Sequence, residues 1–482
     1  MKVAFVMPHW TSVFGGFSLV AGRVSAFPPL NLAMLAALVE SRGHTALVID
    51  AEIERLTVEE TIGRLRDFHP DIVGFTATTP LFQTTSDWAL RIKKSLGVQT
   101  AIGGIHVTLF QEKAFPPHFD FGFLGEADCS FPEFLEGFED CSRYPQIPGL
   151  LFRSRGEVVS TGMAKPTRDL DALPLPARHL LKTKLYRVGS LRGEHNYTTI
   201  MASRGCPFSC VFCTNRVSGT TVRRRSVARV LDEIKSVVES FGVRHFSFVD
   251  DVLTLDRTAI MSLAKAILDS GLTITFEGST RANLVDDELL GLLKRAGLIR
   301  LSFGLETTDA AIRTIIKKTV PLESYATANR IANKYGIETI NSVMLGLPGD
   351  TRETMANTIR YLRNTRELKH STLSIAMPYP GTELYEMARR GEHGLKLLSD
   401  DFSRYQRYGS AVMEVNGISP GELLRLQKIG LLKIYAVPWR LVSSLRRVGL
   451  RALIVPGIQA VFAYLHERAL SWGRYLLRRP PP

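Results

Sequence analysis

The alternation of apolar and polar positions divides the first part of the chain, up to about residue 140, into short strand-like and longer helix-like segments. The strand-like segments are 3–7, 46–50, 71–76 and 100–103, and the helix-like ones are 30–41, 58–68 and 81–96. This alternation predicts βαβ units and a parallel, Rossmann-like sheet. Ligands of such sheets bind beyond the carboxyl ends of the strands, because loop amides and helix N-termini converge there.

A second alternating series begins at residue 197. Its strand-like segments are 197–203, 245–250, 273–277, 300–306, 339–346 and 372–377, with helix-like stretches between them. Six βα repeats are too few to close an eight-stranded barrel. They predict a partial (βα)6 TIM barrel with a wide mouth at the carboxyl ends of the strands.

The regular alternation fails between the two series, where prolines interrupt any helix and predict a linker. These prolines are Pro145, Pro148, Pro166, Pro174 and Pro176. We therefore expect an α/β chain with four parts: an N-terminal Rossmann-like domain (1–143), a Pro-rich linker (144–194), a partial barrel (195–395) and a helical, basic C-terminal region (396–482).

Three of the five cysteines lie in one short segment directly after the first strand of the second series. Cys206, Cys210 and Cys213 have the spacing CxxxCxxC. Three thiolates can ligate three irons of a cubane and leave the fourth iron open to another ligand. A zinc knuckle without its fourth ligand and three coincidentally buried cysteines are the alternatives. Cys129 and Cys141 belong to no motif, and the odd total disfavours a disulfide framework.

The cysteine segment resembles the defining motif of the radical S-adenosylmethionine (SAM) superfamily. The resemblance implies a 4Fe-4S cluster on Cys206, Cys210 and Cys213, whose open iron binds SAM and cleaves it to a 5′-deoxyadenosyl radical. It also implies SAM contacts at the carboxyl ends of the barrel strands, from Phe212, Asp250, Asp251, Ser279, Arg281, Gly304 and Glu306. Each of these residues has a structural alternative: an Asp pair after a strand can cap a helix, and Gly304 can permit close packing.

A βα domain ahead of such a barrel resembles the cobalamin-binding subgroup of the superfamily, the class B methyltransferase-like enzymes, over roughly residues 1–390. The implied cobalamin contacts are His9, Thr76, Thr78, Gly103, Gly104, His106, Gly125 and Glu126. Paired glycines let backbone amides lie close to a bulky ligand. A degenerate domain without a cofactor is the alternative.

The segment around His9 departs from the subgroup's pattern. Many cobalamin domains carry an Asp-x-His-x-x-Gly loop after the first strand, but this chain has Pro8-His9-Trp10-Thr11-Ser12. His9 can therefore ligate cobalt, bond to a loop or face solvent, and the lower ligand of cobalt is not fixed by the sequence.

Positive charge is concentrated in the C-terminal tail. The chain has a net charge of +13, and residues 421–482 contain eleven Lys or Arg against two acidic residues, 11 − 2 = +9. The rest is close to neutral, which argues against a nucleic-acid partner. Arginines alternating with Leu, Val and Trp suit either peripheral contact with an anionic membrane or a helical cap on the barrel. The N-terminus does not resemble a signal peptide, so we expect a cytoplasmic protein, with the inner membrane surface as an option.

The resemblance implies an enzyme that methylates an unactivated carbon of a small-molecule or lipid-like substrate through methylcobalamin. An external electron donor such as flavodoxin or ferredoxin would reduce the cluster. Anaerobic oxidative cyclisation or another rearrangement is the second hypothesis. A methylthiotransferase would need three cysteines in its front domain, where only Cys129 and Cys141 occur. A non-catalytic cobalamin or redox sensor would not need the intact cysteine motif.

Overall fold

Two mostly parallel sheets organise the described part of the chain, which comprises residues 1–11, 27–188, 195–214, 219–406 and 409–440 of a computed structural model. The first sheet forms the N-terminal domain, and the second forms the barrel. This arrangement confirms the predicted α/β fold class, a Rossmann-like domain followed by a partial barrel.

The N-terminal sheet has seven strands in the spatial order β2-β1-β3-β4-β5-β6-β7. They are β1 (Lys2–Met7), β2 (Thr45–Asp50), β3 (Ile72–Thr76), β4 (Gln99–Gly103), β5 (Phe121–Phe123), β6 (Leu150–Ser154) and β7 (Glu157–Ser160). The first five are parallel, and the order reverses between β1 and β3, where open sheets of this kind bind ligands. β6 and β7 are antiparallel and extend the sheet past residue 143, into the segment expected to be a linker.

Helices cover both faces of this sheet. They are α1 (Leu30–Ser41), α2 (Ala51–Glu54), α3 (Val58–Phe68), α4 (Phe82–Leu96), α5 (Ile105–Phe110) and α6 (Ala127–Glu136). Val3 and Phe5 of β1 pack in one core, and Ala4 and Val6 pack in the other. Because such a strand has no solvent-facing side, its sequence is a continuous apolar run.

The barrel sheet has the order β16-β15-β14-β13-β12-β9-β8. Its strands are β8 (Arg187–Val188), β9 (His195–Ile200), β12 (His245–Phe248), β13 (Thr275–Thr280), β14 (Leu298–Glu306), β15 (Glu338–Leu345) and β16 (His370–Ile375). A separate two-stranded ribbon, β10 (Ser203–Arg204) and β11 (Arg223–Arg224), lies between β9 and β12 in the sequence. The six strands β9 and β12 to β16 are parallel, as predicted. In the described residues β16 and β8 remain the two edges, so the barrel is open.

Helices pack on the outside of the barrel. They are α7 (Val227–Phe241), α8 (Arg257–Asp269), α9 (Asp287–Arg295), α10 (Ala310–Ile315), α11 (Leu322–Lys334), α12 (Arg352–Asn364) and α13 (Glu383–Arg390). Leu301, Phe303 and Leu305 of β14 belong to the core beneath these helices. Since side chains alternate along a strand, Ser302 and Gly304 face the interior of the barrel.

The C-terminal region crosses the outside of the barrel from one end to the other. β17 (Leu395–Leu397) and β18 (Met413–Val415) form a small antiparallel pair, and α14 (Pro420–Tyr435) packs on α12 and β16. Leu423 lies beside Gly346 at the carboxyl end of β15. The hydroxyl of Tyr435 donates to the carbonyl of Ser371 at the amino end of β16 (2.7 Å).

Arg440 fixes the last described residues at the amino ends of the barrel strands. Its buried guanidinium donates to the carbonyls of Leu368 (2.6 Å) and Lys369 (3.1 Å), directly before β16. The first part of the predicted basic tail, residues 421–440, thus packs on the barrel, as the cap alternative predicts. The rest of the tail, residues 441–482, lies outside the described residues, and its membrane contact stays a prediction. No described helix is both long enough and apolar enough to cross a bilayer.

Candidate active site

The cysteine loop lies at the carboxyl end of β9, between the two strands of the β10–β11 ribbon. Cys206 is buried, and Cys210 and Cys213 are half-buried. Gly205 has a φ of 95°, and a Cβ at this position would lie 2.5 Å from the carbonyl oxygen of Thr221. Glycine is therefore required immediately before the first cysteine.

Contacts with three other βα units hold the loop in the barrel mouth. The N–H of Val211 donates to the carbonyl of Ile316 (3.3 Å), and the carbonyl of Val211 accepts from the N–H of Leu384 (2.8 Å). The guanidinium of Arg281 stacks 3.5 Å from the ring centroid of Phe208. The loop is thus tied to the segments that follow β13, β14 and β16.

Two positive side chains lie near the thiol of Cys210. Burial raises the pKa of the Cys210 thiol, and the charges of Lys318 and Arg281 act against that rise. Nearby cations favour the thiolate, the form that binds metal. Among the described residues no three His, Cys, Asp or Glu side chains form a ready metal site. Three thiols on one loop beside two cations nevertheless fit the donor set of a cluster with three cysteine ligands.

Glu306 and Lys318 form a buried ion pair beside this loop, with 3.4 Å between Oε1 and Nζ. Burial raises the pKa of Glu306, and Lys318 opposes the rise. Glu306 has a φ of 66°, and a Cβ on Gly304 would collide with its Oε1. Backbone strain at a non-glycine residue is concentrated at functional sites. The structure therefore brings Gly304 and Glu306 together in the mouth, and their SAM contact stays a prediction.

Asp250 and Asp251 follow β12 and lie beneath the cysteine loop. Asp250 accepts from the hydroxyl of Ser203 (2.6 Å) and from the N–H of Ala202 (3.0 Å). Burial raises its pKa to about 6. Asp250 thus supports the backbone that leads into the cysteines. Asp251 is more exposed, and it accepts a hydrogen bond from the backbone of Gly205, directly before Cys206. Their contact with SAM stays a prediction.

The remaining predicted SAM residues also lie at the barrel mouth. Phe212 is half-buried and packs against the barrel core, and Ser279 is exposed near the end of β13. Arg281 is buried, and its Nη2 donates to the hydroxyl of Thr319 (2.8 Å). Its Nε is buried without a hydrogen-bond partner in the described structure. Arg281 therefore carries one buried donor that no acceptor of the described residues satisfies.

A cavity of about 580 Å³ lies between the N-terminal sheet and the barrel mouth. The predicted cobalamin residues that line it are Thr76, Gly103, Gly104, Gly125 and Glu126. The barrel contributes Thr199, Met201, Arg204 and Val249. The volume and the largely apolar walls are typical of sites for organic ligands.

The two adjacent glycines in this wall have different structural requirements. Gly104 has a φ of 99°, and a Cβ there would lie 2.7 Å from the carbonyl oxygen of Ala77. A Cβ at Gly103 would meet Phe123 at 3.7 Å, an ordinary contact. Gly104 therefore lets the β4–α5 turn pack on the chain that follows β3. This close packing shapes the wall of the cavity at Gly104.

Three predicted cobalamin residues are not among those that line the cavity. The Nε2 of His9 donates to the carbonyl of Leu56 (2.9 Å), and its ring lies 5.4 Å from Trp88. His9 and Thr78 are exposed, whereas His106 is buried. No contact of His9 in the described structure points toward the cavity, so its role as a cobalt ligand stays a prediction.

His106 belongs to an aromatic cluster between the N-terminal domain and the C-terminal region. Its ring centroid lies 4.2 Å from that of Phe82, 4.6 Å from that of Phe110 and 5.8 Å from that of Phe402. Burial lowers the pKa of His106 to about 4, so the ring is neutral at physiological pH. Since Phe402 follows the barrel, the cluster joins two distant parts of the chain.

Comparisons with known proteins agree with both halves of this site. Residues 200–362 match the radical SAM superfamily, and residues 18–135 match the B12 binding domain. The chain therefore combines a radical SAM domain with a B12 binding domain, as its resemblance to the cobalamin-binding radical SAM proteins predicts. A radical SAM domain takes a 4Fe-4S cluster and SAM, and a B12 binding domain takes cobalamin, so the three predicted cofactors correspond to the two domains.

Relatives of this radical SAM chain cover most of its length. An uncharacterized methyltransferase of Pyrococcus horikoshii is 28% identical over 450 residues, 92% of this chain and 95% of that protein. The anaerobic magnesium-protoporphyrin IX monomethyl ester cyclase of Cereibacter sphaeroides is 27% identical over 494 residues, 98% and 78% of the two chains. TsrM from Kitasatospora setae is a radical SAM methyltransferase solved with cobalamin and a 4Fe-4S cluster. It has a TM-score of 0.68 at 16% identity, and the similarity covers 90% of this chain and 88% of TsrM. The likeness to TsrM shows a shared fold.

Sequence reasoning missed the side chains that hold the cysteine loop in place. Phe208 lies inside the motif, but spacing alone does not indicate its stacking on Arg281. Lys318 is far from the cysteines in sequence and is brought beside them by the barrel. Arg204 and Arg223 flank the loop, and that flanking position was the available signal.

Proposed function

We propose that this protein transfers a methyl group to an unactivated carbon of a small-molecule substrate. The observation that carries the proposal is the shared cavity, where the wall around Gly104 faces Thr199 and Met201 of the barrel. When bound, the cluster with SAM supplies a hydrogen-abstracting radical and cobalamin supplies the methyl group. A cavity common to both domains lets one substrate meet both reagents.

The chain's own residues bind and orient the reactants in this proposal. Cys206, Cys210 and Cys213 hold the cluster. Lys318 and Arg281 offer positive charge to the carboxylate of SAM, and Glu306 offers an acceptor to its hydroxyl groups.

The inner wall of the barrel supports a substrate with hydrogen-bonding groups. Inward-facing positions of five strands carry small hydroxyl side chains, at Ser247, Ser279, Ser302, Ser342, Thr372 and Ser374. Below them Arg300 bonds to Glu277 (2.8 Å) and lies 3.4 Å from Glu338. Thr372 bonds to Ser342 (3.3 Å) and Ser374 bonds to the carbonyl of Val343 (3.2 Å). A hydrocarbon would still leave the hydroxyl groups of Ser247, Ser279 and Ser302 without partners, which is costly. We therefore favour a polar metabolite, or the polar end of a lipid-like one.

Labelled methyl groups test the proposal directly. Anaerobically reconstituted protein with cobalamin would be incubated with methyl-labelled SAM and either the aqueous or the organic fraction of a metabolite extract. We expect 5′-deoxyadenosine and a labelled product in the aqueous fraction, and no labelled product without cobalamin. Product that forms without label would contradict methyl transfer.

Oxidative cyclisation is the second candidate, because the Cereibacter sphaeroides cyclase covers nearly the whole chain. It would also consume SAM and yield 5′-deoxyadenosine. It differs in the product, which would lose hydrogen and gain no methyl group. Mass spectrometry of the product separates the two reactions.

A small flavodoxin or ferredoxin is the proposed electron donor that reduces the cluster.

The basic tail is the proposed membrane contact of a cytoplasmic protein. Arg440 lies at the amino ends of the barrel strands, opposite the cysteine loop. A membrane contact that starts there would anchor the enzyme without covering the mouth. Flotation with anionic vesicles, for the full chain and for a chain without residues 441–482, tests this anchoring.

A further inference from the structure

A partly buried group of four charged side chains joins the N-terminal domain to the ribbon that carries the cysteine loop. Glu126 and Asp128 come from the N-terminal domain, and Arg204 and Arg223 come from β10 and β11. The side chains are between 8% and 17% exposed. Glu126, Asp128 and Arg204 also line the shared cavity.

Glu126 binds both strands of the ribbon at once. Its Oε1 accepts from Nη2 of Arg223 (2.5 Å), and its Oε2 accepts from Nη1 of Arg223 (2.7 Å) and from Nη1 of Arg204 (3.0 Å). Burial opposes ionisation of Glu126, but the two guanidinium groups bring its pKa below its usual value. Arg204 also bonds to Asp128, so two positive and two negative charges balance.

The same group fixes the linker. The N–H of Thr167 donates to Glu126 (3.3 Å), and the carbonyl of Thr167 accepts from Arg223 (2.7 Å). Arg204 directly precedes Gly205 and Cys206 in the sequence. Glu126 directly follows Gly125 in the cavity wall. One carboxylate therefore connects the wall of the cobalamin cavity to the start of the cysteine loop.

We propose that Glu126 is a positioning residue, which sets the separation of cobalamin and the iron–sulfur cluster through Arg204 and Arg223. This inference rests on the proposed function, since it needs both cofactors in one protein. It replaces the expectation of a direct cobalamin contact for Glu126, because both carboxylate oxygens are already bonded to arginines. A bidentate pair suits this role, since it fixes direction as well as distance.

A second carboxylate provides a matched control. Glu233 is buried and also lies between two arginines, accepting from Arg178 (2.6 Å) and Arg225 (2.5 Å). It joins the linker to the barrel but does not line the shared cavity. If Glu126 only held domains together, Glu126→Gln and Glu233→Gln would have similar effects. Arg178 and its partners would keep the domains joined when Glu126 is replaced.

The experiment measures the magnetic interaction between the reduced cluster and cob(II)alamin by electron paramagnetic resonance. The holoenzyme is reconstituted with iron, sulfide and hydroxocobalamin and then reduced. We expect one narrow distance distribution in the wild type and in Glu233→Gln. In Glu126→Gln we expect a broadened distribution with unchanged iron and cobalamin content. The conservative variant Glu126→Asp should restore part of the narrow component.

Turnover gives a second readout. Misplacement of reacting groups by about 1 Å can cost on the order of a hundredfold in rate. Glu126→Gln should therefore keep forming 5′-deoxyadenosine while losing up to that factor in methylated product. If Glu126→Gln does not fold, Arg223→Lys, which keeps the charge but loses the bidentate geometry, takes its place with the same expectations.

Three results would overturn the inference. A wild-type distance distribution in Glu126→Gln would mean that the pair is only an adhesive contact. Broadening of equal size in Glu233→Gln would mean that any weakened domain contact moves the cofactors. A wild-type protein that takes up no cobalamin would overturn the proposed function itself, and the inference with it. This last failure is distinguishable, because it occurs before any substitution.

Discussion

The barrel mouth and the edge of the N-terminal sheet offer different kinds of contact to a ligand. In the mouth, three thiols and the charged side chains of Arg281 and Lys318 offer specific chemical partners. At the sheet edge, the cavity is lined mainly by backbone turns and apolar side chains. Residues that donate ligand atoms, such as the cysteines, have a recognisable spacing in the sequence. The shape of a cavity wall depends instead on how distant turns pack together. The cysteine motif was therefore diagnostic, and the cobalamin residues were only partly placed at the cavity.

The largest expected effect is on the donor side of this comparison. Cys210→Ala should lower the iron content from about four per chain to background and abolish formation of 5′-deoxyadenosine, because no spare thiol lies nearby. Iron and sulfide assays after anaerobic reconstitution measure this loss. Cys129→Ala is the control, since Cys129 is exposed and outside the motif. A cluster that survives in Cys210→Ala with full activity would contradict the assignment.

The shape side is tested by the two adjacent glycines. Gly104→Ala should abolish cobalamin binding and lower stability, because a left-handed backbone costs about 1–3 kcal/mol for a side chain and the Cβ would lie 2.7 Å from a carbonyl oxygen. Gly103→Ala should bind cobalamin like the wild type, since its Cβ would meet Phe123 at 3.7 Å.

Absorbance titration with hydroxocobalamin and thermal unfolding measure the two effects. Equal behaviour of the two variants would show that the turn relaxes around a methyl group. The wall would then owe its form to something other than the packing of Gly104 on Ala77.

Sequence patterns predicted the fold better than the details of the site. Six parallel barrel strands and the first four strands of the N-terminal sheet were predictable, because buried parallel strands give long apolar runs between helices. β6 and β7 were not, because they are short and lie in a segment whose prolines indicated a linker. The orientation of a residue just after a strand depends on its loop, which is why Thr76 lines the cavity and Thr78 does not.

Glu126 shows why the remaining site residues could not be assigned. Its position just after a strand predicts a place at the ligand-binding edge of the sheet, and Glu126 lines the cavity there. Its arginine partners, however, are 78 and 97 residues away in sequence, and only the packing of two domains brings them together. In a single sequence, a carboxylate that binds a ligand cannot be told apart from a carboxylate that bonds to another domain.

Acid should weaken the contact that His106 makes with the C-terminal region. Its pKa is about 4 in the folded chain and 6.5 in the unfolded reference. Between these values the unfolded chain binds a proton that the folded chain does not. The free energy of unfolding therefore falls as the pH is lowered through this window, and the full contribution of His106 is present above it. The loss is at most about 3 kcal/mol.

Thermal unfolding from neutral pH to about pH 5 measures this effect, with His106→Gln as the variant that cannot titrate. We expect the wild type to lose more stability than His106→Gln over the window. His9→Gln, at an exposed histidine, should follow the wild type. Parallel pH profiles for the wild type and His106→Gln would mean that the imidazole is not buried as described.

The smallest expected effect concerns His9. It tests whether the N-terminal domain holds cobalamin through a side-chain ligand or through the shape of its cavity. His9 donates to the carbonyl of Leu56 and lies outside the cavity lining, so His9→Ala should remove one exposed hydrogen bond, worth about 0.5–1.5 kcal/mol, and leave cobalamin affinity unchanged. The spectrum of bound cob(II)alamin decides the matter, because an axial imidazole nitrogen splits its electron paramagnetic resonance lines. We expect the same spectrum, without histidine-dependent splitting, in the wild type and in His9→Ala. A splitting that disappears in the variant would place a donor atom on cobalt after all. The sheet edge would then bind its cofactor by a chemical ligand, as the barrel mouth does, and the contrast between the two regions would be lost.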